Sequence, residues 1–424
     1  MSTLQHARNK ARSRFIALGI PTPRHEEWKY TNVLSFIKQD LLAPSQPTVA
    51  QDLSMDEFAL AMNGMRTALE GGWLVTIVNG RFSAALSAIP AAAAGVSIEQ
   101  LTDELLENNA DVRSAFGSQA SIDDHSFVAL NTALTDACVL IRIAPGATIE
   151  RPVHIAMISD TRQADSFSAP RVLVLTGKHS SADVITSAHV IGDNAGLNIN
   201  VIEFSVAQES SLQYHAIADA TANLRVISYA GASVERGGTF TSHSVNIGGG
   251  FVRNDLAVRL LAPSSEAYLY GVSVLNATEF VDNHTVVDHC APHCHSEELY
   301  KGLYDGSSVG VFNGKIFVRP DAQKTTAYQS NHSILLSNKA QVNAKPQLEI
   351  WADDVKCSHG ATAGQLNEEA IFYLRSRGID AAKARALMTY AFAAEVLEHI
   401  NHEGLRQHLE QRIATKLGAE TLLL

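Results

Sequence analysis

A chain of 424 residues with 46% hydrophobic and 18% charged residues has the makeup of a packed globular protein rather than a disordered one. Its formal net charge of -11, from 33 basic and 44 acidic residues, leaves no footprint for nucleic acid, and no apolar run of about 18 residues offers a membrane-spanning helix. Four cysteines are too few for a disulfide scaffold and read as reduced thiols of a cytoplasmic protein.

The length fits two to three domains, or one long solenoid with appendages. Leu4, Ala7, Ala11, Phe15 and Leu18 recur at helical steps, so a helix is expected over residues 3–18, ended by Gly19, Pro21 and Pro23. Residues 8–24 carry arginine and no acid. That composition suits an organelle transit segment, and equally a surface helix with a basic wet side. His25, Glu26 and Glu27 follow, as ligand candidates or as the start of a helix with acids placed for its dipole. Further helices are expected over residues 55–69 and 98–115. Trp73–Gly80 reads as a strand and turn. Residues 1–125 therefore form a mostly helical N-terminal domain.

From Ser126 the texture changes. Short Val-, Ile- and Tyr-rich runs, such as CVLIRIAPG, RVLVLTG, LNINVIEFSV and VGVFNGKIFVR, alternate with turn residues as far as Ile350. These are strands. So many short strands need a closed or stacked arrangement to hide their edges. A parallel β-helix and a large sandwich or propeller both satisfy this. No blade-length repeat appears, and only Asn313-Gly314 stands as a hairpin dipeptide between two strands. Coils are favoured over hairpins, so residues 126–350 are assigned to a parallel β-helix core. Gly248–Gly250 reads as a coil turn.

Residues 351–424 form a C-terminal helical domain. Asn367 and Asp380 are placed as N-caps, Gly378 as a stop, and Leu405, Leu409, Ile413 and Leu417 mark a last helix. Such a tail either docks a partner or caps the open end of the β-helix.

Chemistry concentrates in two places. In LEIWADDVKCSHGATAG (Leu348–Gly364) the strands end, and Cys357 and His359 stand two residues apart. If this segment is extended, the thiol and imidazole share a face, a pair suited to iron or zinc. A buried Cys beside a hydrogen-bonded His is the competing reading. The second place is 284–295, with His284, His289, Cys290, His293, Cys294 and His295. Its spacing matches no zinc-finger pattern and Pro292 bends it, so polar residues along a coil compete with a metal role. GVFNGKI lacks the spacing of a P-loop, so the chain is not expected to hydrolyse ATP. No H-E-x-x-H occurs. A stand-alone β-helix carbohydrate hydrolase or lyase stays open as the alternative function, although no local pairing of carboxylates points to it.

The run GLYDGSSVGVFNGKIFVRPDAQKTTAYQSNHSILLSNKAQVNAKPQLEIWADDVKCSHGATAGQL (Gly302–Leu366), with PTPRHEEWKYTNV near the N-terminus, resembles the SufB/SufD family of iron–sulfur cluster assembly proteins. The likeness extends over essentially the whole chain. It implies a right-handed parallel β-helix core between two helical regions. It implies a non-catalytic scaffold in complex with a SufB paralogue and the ATPase SufC, the latter docked on the C-terminal helices. A cysteine desulfurase and its sulfur acceptor stand upstream. In this family the histidine of a C-S-H-G motif faces the paralogue near one of its cysteines, where the nascent cluster forms. The resemblance puts that role on His359, with Cys357 beside it, and implies a transient iron–sulfur cluster rather than a stably bound cofactor. The PHCHSEEL run is family-like, with no residue role to carry over. Self-pairing of the isolated chain is a further expectation.

Overall fold

The computed structural model describes residues 2–37, 53–89, 95–135 and 138–420. Helix α1 (Thr3–Leu18) forms where expected, capped by Ser2 and stopped by Gly19 at φ 67°. Two of its arginines are engaged: Arg8 donates to the Thr135 carbonyl and Arg14 to that of Asp123. A single 3-10 turn spans Glu26–Trp28. The helix expected over 55–69 is two short ones, α2 (Met55–Ala61) and α3 (Met65–Ala68). Asn63 and Gly64 separate them with positive φ, which a continuing helix forbids. Strands β1 (Trp73–Val78) and β2 (Arg81–Phe82) form an antiparallel pair around Asn79-Gly80.

The helix expected over 98–115 is a correction. Its first residues lie in β3 (Val96–Gln100), paired antiparallel with β4 (Cys138–Ile143). Only then come α4 (Asp103–Asn108) and α5 (Ala110–Ala115), each started by its own cap, Thr102 and Asn109. A second correction is α6 (Ser126–Leu134), which lies where only strands were expected. Seven of its nine residues are buried, so it shows no wet face and no readable period.

The chain then winds about eight turns of parallel β-helix. The strands in order are β5 (Val153–Asp160), β6 (Ser166–Ser168), β7 (Arg171–Thr176), β8 (Ser181–Ile191), β9 (Gly196–Val206), β10 (Ser211–Ala218), β11 (Leu224–Val234) and β12 (Thr239–Asn246). They continue with β13 (Phe251–Leu260), β14 (Glu266–Leu275), β15 (Phe280–His289), β16 (His295–Tyr304), β17 (Val309–Val318), β18 (Thr326–Leu335), β19 (Gln341–Ile350) and β20 (Lys356–Gly364). One sheet runs β2-β1-β5-β8-β10-β12-β14-β16-β18-β20, the other β19-β17-β15-β13-β11-β9-β7-β4-β3. From β7 on, successive strands alternate between the sheets, as coils rather than hairpins require. The Asn313-Gly314 signal belongs to no hairpin; both residues lie inside β17. At Gly248–Gly250 successive turns touch: a Cβ on Gly248 would meet the Ala220 carbonyl oxygen at 2.3 Å, and one on Gly250 that of Ala222 at 2.1 Å.

Register is kept from coil to coil, so side chains stack in columns. One interior column is Ala182, Leu212, Phe240, Ala267, Ser296, Ala327 and Cys357. Most of it belongs to a continuous apolar core between the sheets. Outside the first sheet, α2 and α3 pack together with α8 (Ala381–Leu397) and α9 (Glu403–Lys416) over Ile185, Ile217, Val245 and Val272. Outside the second, Val33, Ile37 and α6 cover Ile199, Ile227 and Phe251. Helix α7 (Glu368–Ser376) packs Ile371 near Ile334. Asn367 and Asp380 cap α7 and α8, and Leu405, Leu409 and Ile413 are fully buried. The C-terminal helices thus lie along the side of the coil. The last strands β19 and β20 each have one unpaired edge.

Candidate functional site

This end of the coil is where the sequence placed its thiol–imidazole pair. β20 is extended and in register with β18, Cys357 opposite Ala327 and His359 opposite Gln329. Strand alternation gives Cys357 and His359 the same face, and that face is the interior one, since Cys357 packs against the central core. At any earlier coil these two positions are sealed. Here the following coil is missing, so Cys357 is half-buried and His359 is exposed. Burial pushes the Cys357 thiol up, with a backbone hydrogen bond at Ala327 opposing. The free chain therefore holds a thiol, which a metal or a cationic partner would have to deprotonate.

The interior beneath them turns polar. The column under His359 runs Gln329, Glu298, Leu269, Ser242 and Tyr214. Glu298 and Gln329 are each 1% exposed. The Gln329 amide donates to Glu298 Oε2 at 2.8 Å, and the Thr285 hydroxyl donates to the same oxygen at 3.0 Å. Burial pushes Glu298 up to about 7, with both donors pulling the other way.

The six residues of 284–295 are dispersed. His284 faces outward and is buried between carboxylates, its Nε2 2.9 Å from Asp282 and its Nδ1 3.5 Å from Glu27. Burial disfavours its charge, yet Asp282 and Glu27 outweigh that and raise its pKa. His289 is buried against the Ser296 hydroxyl at 2.9 Å, and burial lowers it to about 4. Cys290 is half-buried, Cys294 is buried, and burial raises both thiols. His293 is an exposed turn residue at φ 59°, and the His295 ring leans on Tyr268. Among the described residues no three His, Cys, Asp or Glu side chains converge as a metal-holding group. Any metal at the open end therefore needs ligands beyond the described residues of this chain.

Glu26 and Glu27 have partners that sequence spacing does not reveal. They reach across the second sheet to Lys345, Lys315 and His284. The hydrogen bond from His284, despite opposing burial and with help from Lys315, draws Glu27 down to about 2. Arg253 lies beneath, paired with Asp255 and Asp282 at 2.7 Å, its guanidinium 3.9 Å from the Trp28 ring. This network walls a cleft of about 460 Å³ beside Phe127 and Tyr229. The cleft is on the outer face of the second sheet, away from β20.

A second network went unread in the sequence. His215, His243 and Tyr270 form an outward column on the first sheet. Their rings stack in succession, and Tyr270 in turn stacks on His399 beyond α8 at 3.9 Å. Neither nitrogen of His215 has a hydrogen-bond partner. Nearby, His154 and His189 share the Ser187 hydroxyl, each at 2.7 Å.

The architecture defines a class: a parallel β-helix, helices laid along both sheets, with a Cys/His pair on its last strand. Comparison with known proteins gives the family. Residues 157–392 match the model for the SUF system FeS cluster assembly, SufBD core domain, and residues 1–155 that for the SufBD protein N-terminal region. The chain belongs to the SufBD family of iron–sulfur cluster assembly proteins. It is 29% identical to the iron-sulfur cluster assembly protein SufD of Escherichia coli K12, over 94% of this chain and 90% of that one. It is 27% identical to an iron-sulfur cluster assembly SufBD family protein of Synechocystis over 98% and 91%, and 24% identical to SufD of Bacillus subtilis over 70% and 68%. These relatives support a role in SUF iron–sulfur cluster assembly, and none points to carbohydrate chemistry. Among the described residues no helix is long and apolar enough to cross a membrane.

Proposed function

We propose that this chain is the non-catalytic, SufD-type half of a shared scaffold in the cytoplasm. It pairs through the free edges of β19 and β20 with a SufB paralogue, and the nascent iron–sulfur cluster forms in the seam. His359 supplies an imidazole there and Cys357 stands beside it as a second candidate ligand. The observation that carries this is the geometry of β20: an interior-facing thiol and imidazole laid open because the next coil is missing. An unpaired strand edge recruits another strand, and two ligands from one chain demand the rest from its partner. An imidazole suits a cluster that must later leave, since it binds more weakly than a further thiolate. In the absence of the paralogue the same edges support self-pairing.

The ATPase SufC docks on the C-terminal helices. On α7, which buries only Ile371, Phe372 and Tyr373 stand side by side at 71% and 57% exposed, and apolar exposure of that kind marks a contact surface. Nucleotide binding in SufC then biases the shape of the pair and opens the seam to iron and to sulfur delivered from a cysteine desulfurase through its acceptor protein. The cluster is transient, and no cofactor stays with this chain.

The test is reconstitution with both partners, followed by spectroscopy of the cluster. His359→Ala is expected to leave the complex assembled and to reduce cluster formation. Undiminished formation refutes the role given to His359.

A further inference from the structure

Directly beneath His359 lies a buried pair that the fold alone does not need. Register sets Glu298, Gln329 and His359 in one interior column, one residue per coil. Neighbouring strands are about 4.8 Å apart, so side chains in a column reach one another. The Gln329 nitrogen is committed downward to Glu298 Oε2, an oxygen that also takes the Thr285 hydroxyl. Two donors on one oxygen are what a carboxylate attracts. The amide is thereby oriented, and its own oxygen, Gln329 Oε1, is left buried without any partner.

Two further observations single out this rung. Gly314 across the interior makes room for the amide: a Cβ there would stand 2.3 Å from Gln329 Nε2. On the same strand, Asn331 Oδ1 is also buried and unpartnered. Buried polar atoms are seldom orphaned in folded proteins. These two lie together on β18, the strand that carries β20.

We propose that Gln329, oriented by Glu298, is a positioning residue for His359. Its free amide oxygen accepts one ring N–H of His359 when a partner closes over the terminal coil. The other ring nitrogen then keeps its lone pair and faces across the seam. This rests on the role given to His359 above. A ligating histidine is fixed in tautomer and direction by the acceptor of its other N–H, and an amide oxygen held by a carboxylate is such an acceptor.

The experiment uses the reconstituted complex with four variants of this chain: His359→Ala, Gln329→Leu, Gln329→Glu and Glu298→Gln. Assembly is followed by co-purification, the cluster by its visible absorption, and the His359 tautomer by ¹⁵N shifts of labelled histidine. Gln329→Leu keeps the bulk and loses the acceptor. It is expected to lower cluster formation by about 10–100-fold, to change the spectrum of what remains, and to mix the His359 tautomers. Gln329→Glu keeps an oxygen at that reach and recovers most of the loss. Glu298→Gln, which frees the amide to turn over, falls between. Parental yield, spectrum and tautomer in Gln329→Leu, with His359→Ala impaired, overturn the proposal and leave the role of His359 standing. A parental His359→Ala sinks both. If Gln329→Leu fails to assemble, Glu298→Gln decides, since a parental tautomer there refutes the orienting role.

Discussion

Acid should unseat the C-terminal helices before it dissolves the coil. His154, His189, His215 and His243 are buried outside the first sheet, and His289 is buried elsewhere. Burial lowers His154 and His243 to about 3 and His189 and His289 to about 4, and it lowers His215 well below its ordinary value. Unfolded histidine titrates near ~6.5. These rings are neutral when folded, and protonation favours the unfolded chain. Their contribution is therefore complete above the unfolded pKa and drains away as pH falls below it toward the folded values. The slope is about 1.4 kcal/mol per pH unit per ring, so at pH ~5 each ring has lost about 2 kcal/mol and the five together roughly 10. Two acids act with the opposite sign. Burial raises Asp183 to about 6 and Glu298 to about 7, and protonating them on the folded chain returns roughly 4 kcal/mol by pH ~5. The balance is a loss of about 6 kcal/mol, comparable to the whole stability of an ordinary domain at about 5–15 kcal/mol.

The loss is local, because four of the five rings face the helices; on the helix side stand His399, His402 and His408, with Asp219 and Arg412 near His408. Hydrogen exchange between about pH 7.5 and 5 is expected to deprotect residues 381–416 first, while β11–β17 stay closed. His243→Phe keeps a stacked ring and removes one titrating group. It is expected to reduce the pH slope of stability by about one proton and to regain about 2 kcal/mol at pH ~5. A melting temperature that is flat over this range, or a His243→Phe slope equal to the parent's, refutes the reasoning.

Elsewhere, Arg171 and Glu203 are buried as an ion pair at 2.6 Å, and Glu203 also accepts the backbone N–H groups of Gly117 and Gln119. Glu203→Gln leaves Arg171 uncompensated and is expected to cost about 3–5 kcal/mol in chemical denaturation; a loss under ~1 kcal/mol contradicts the pairing. On the surface of α7, Phe372→Asp with Tyr373→Asp is expected to abolish binding of SufC in a pull-down while the melting temperature stays within a few degrees, because neither ring supports the fold. Retained binding places the ATPase on another helix.

Local features of the chain were legible because they depend on near neighbours. Asn367 and Asp380 are caps in the structure as in the sequence, and the Val- and Ile-rich runs are strands. Where reading failed, the cause was equally local. Residues 126–134 are buried on almost every side, so their helix has no polar face to betray it. Asn313-Gly314 imitates a hairpin turn, but Gly314 serves as empty space for Gln329. The extended Cys357–His359 segment was legible from two-residue alternation, and so was the sharing of a face. Which face it was, and that it lay open, was not.

The sequence by itself determined that this is a coil of short strands between helices, that a thiol and an imidazole stand together where the coil stops, and which family it belongs to. Only the tertiary structure decided what lies next to what across the turns. Thr239 pairs with Glu266, then His295, Thr326 and Lys356 follow, and the spacing shifts at each turn because the loops differ in length. Columns such as Glu298–Gln329–His359 or His215–His243–Tyr270 are therefore invisible to any fixed period. They come into being when backbone hydrogen bonding locks the register, and the chemistry of the open end depends on that lock.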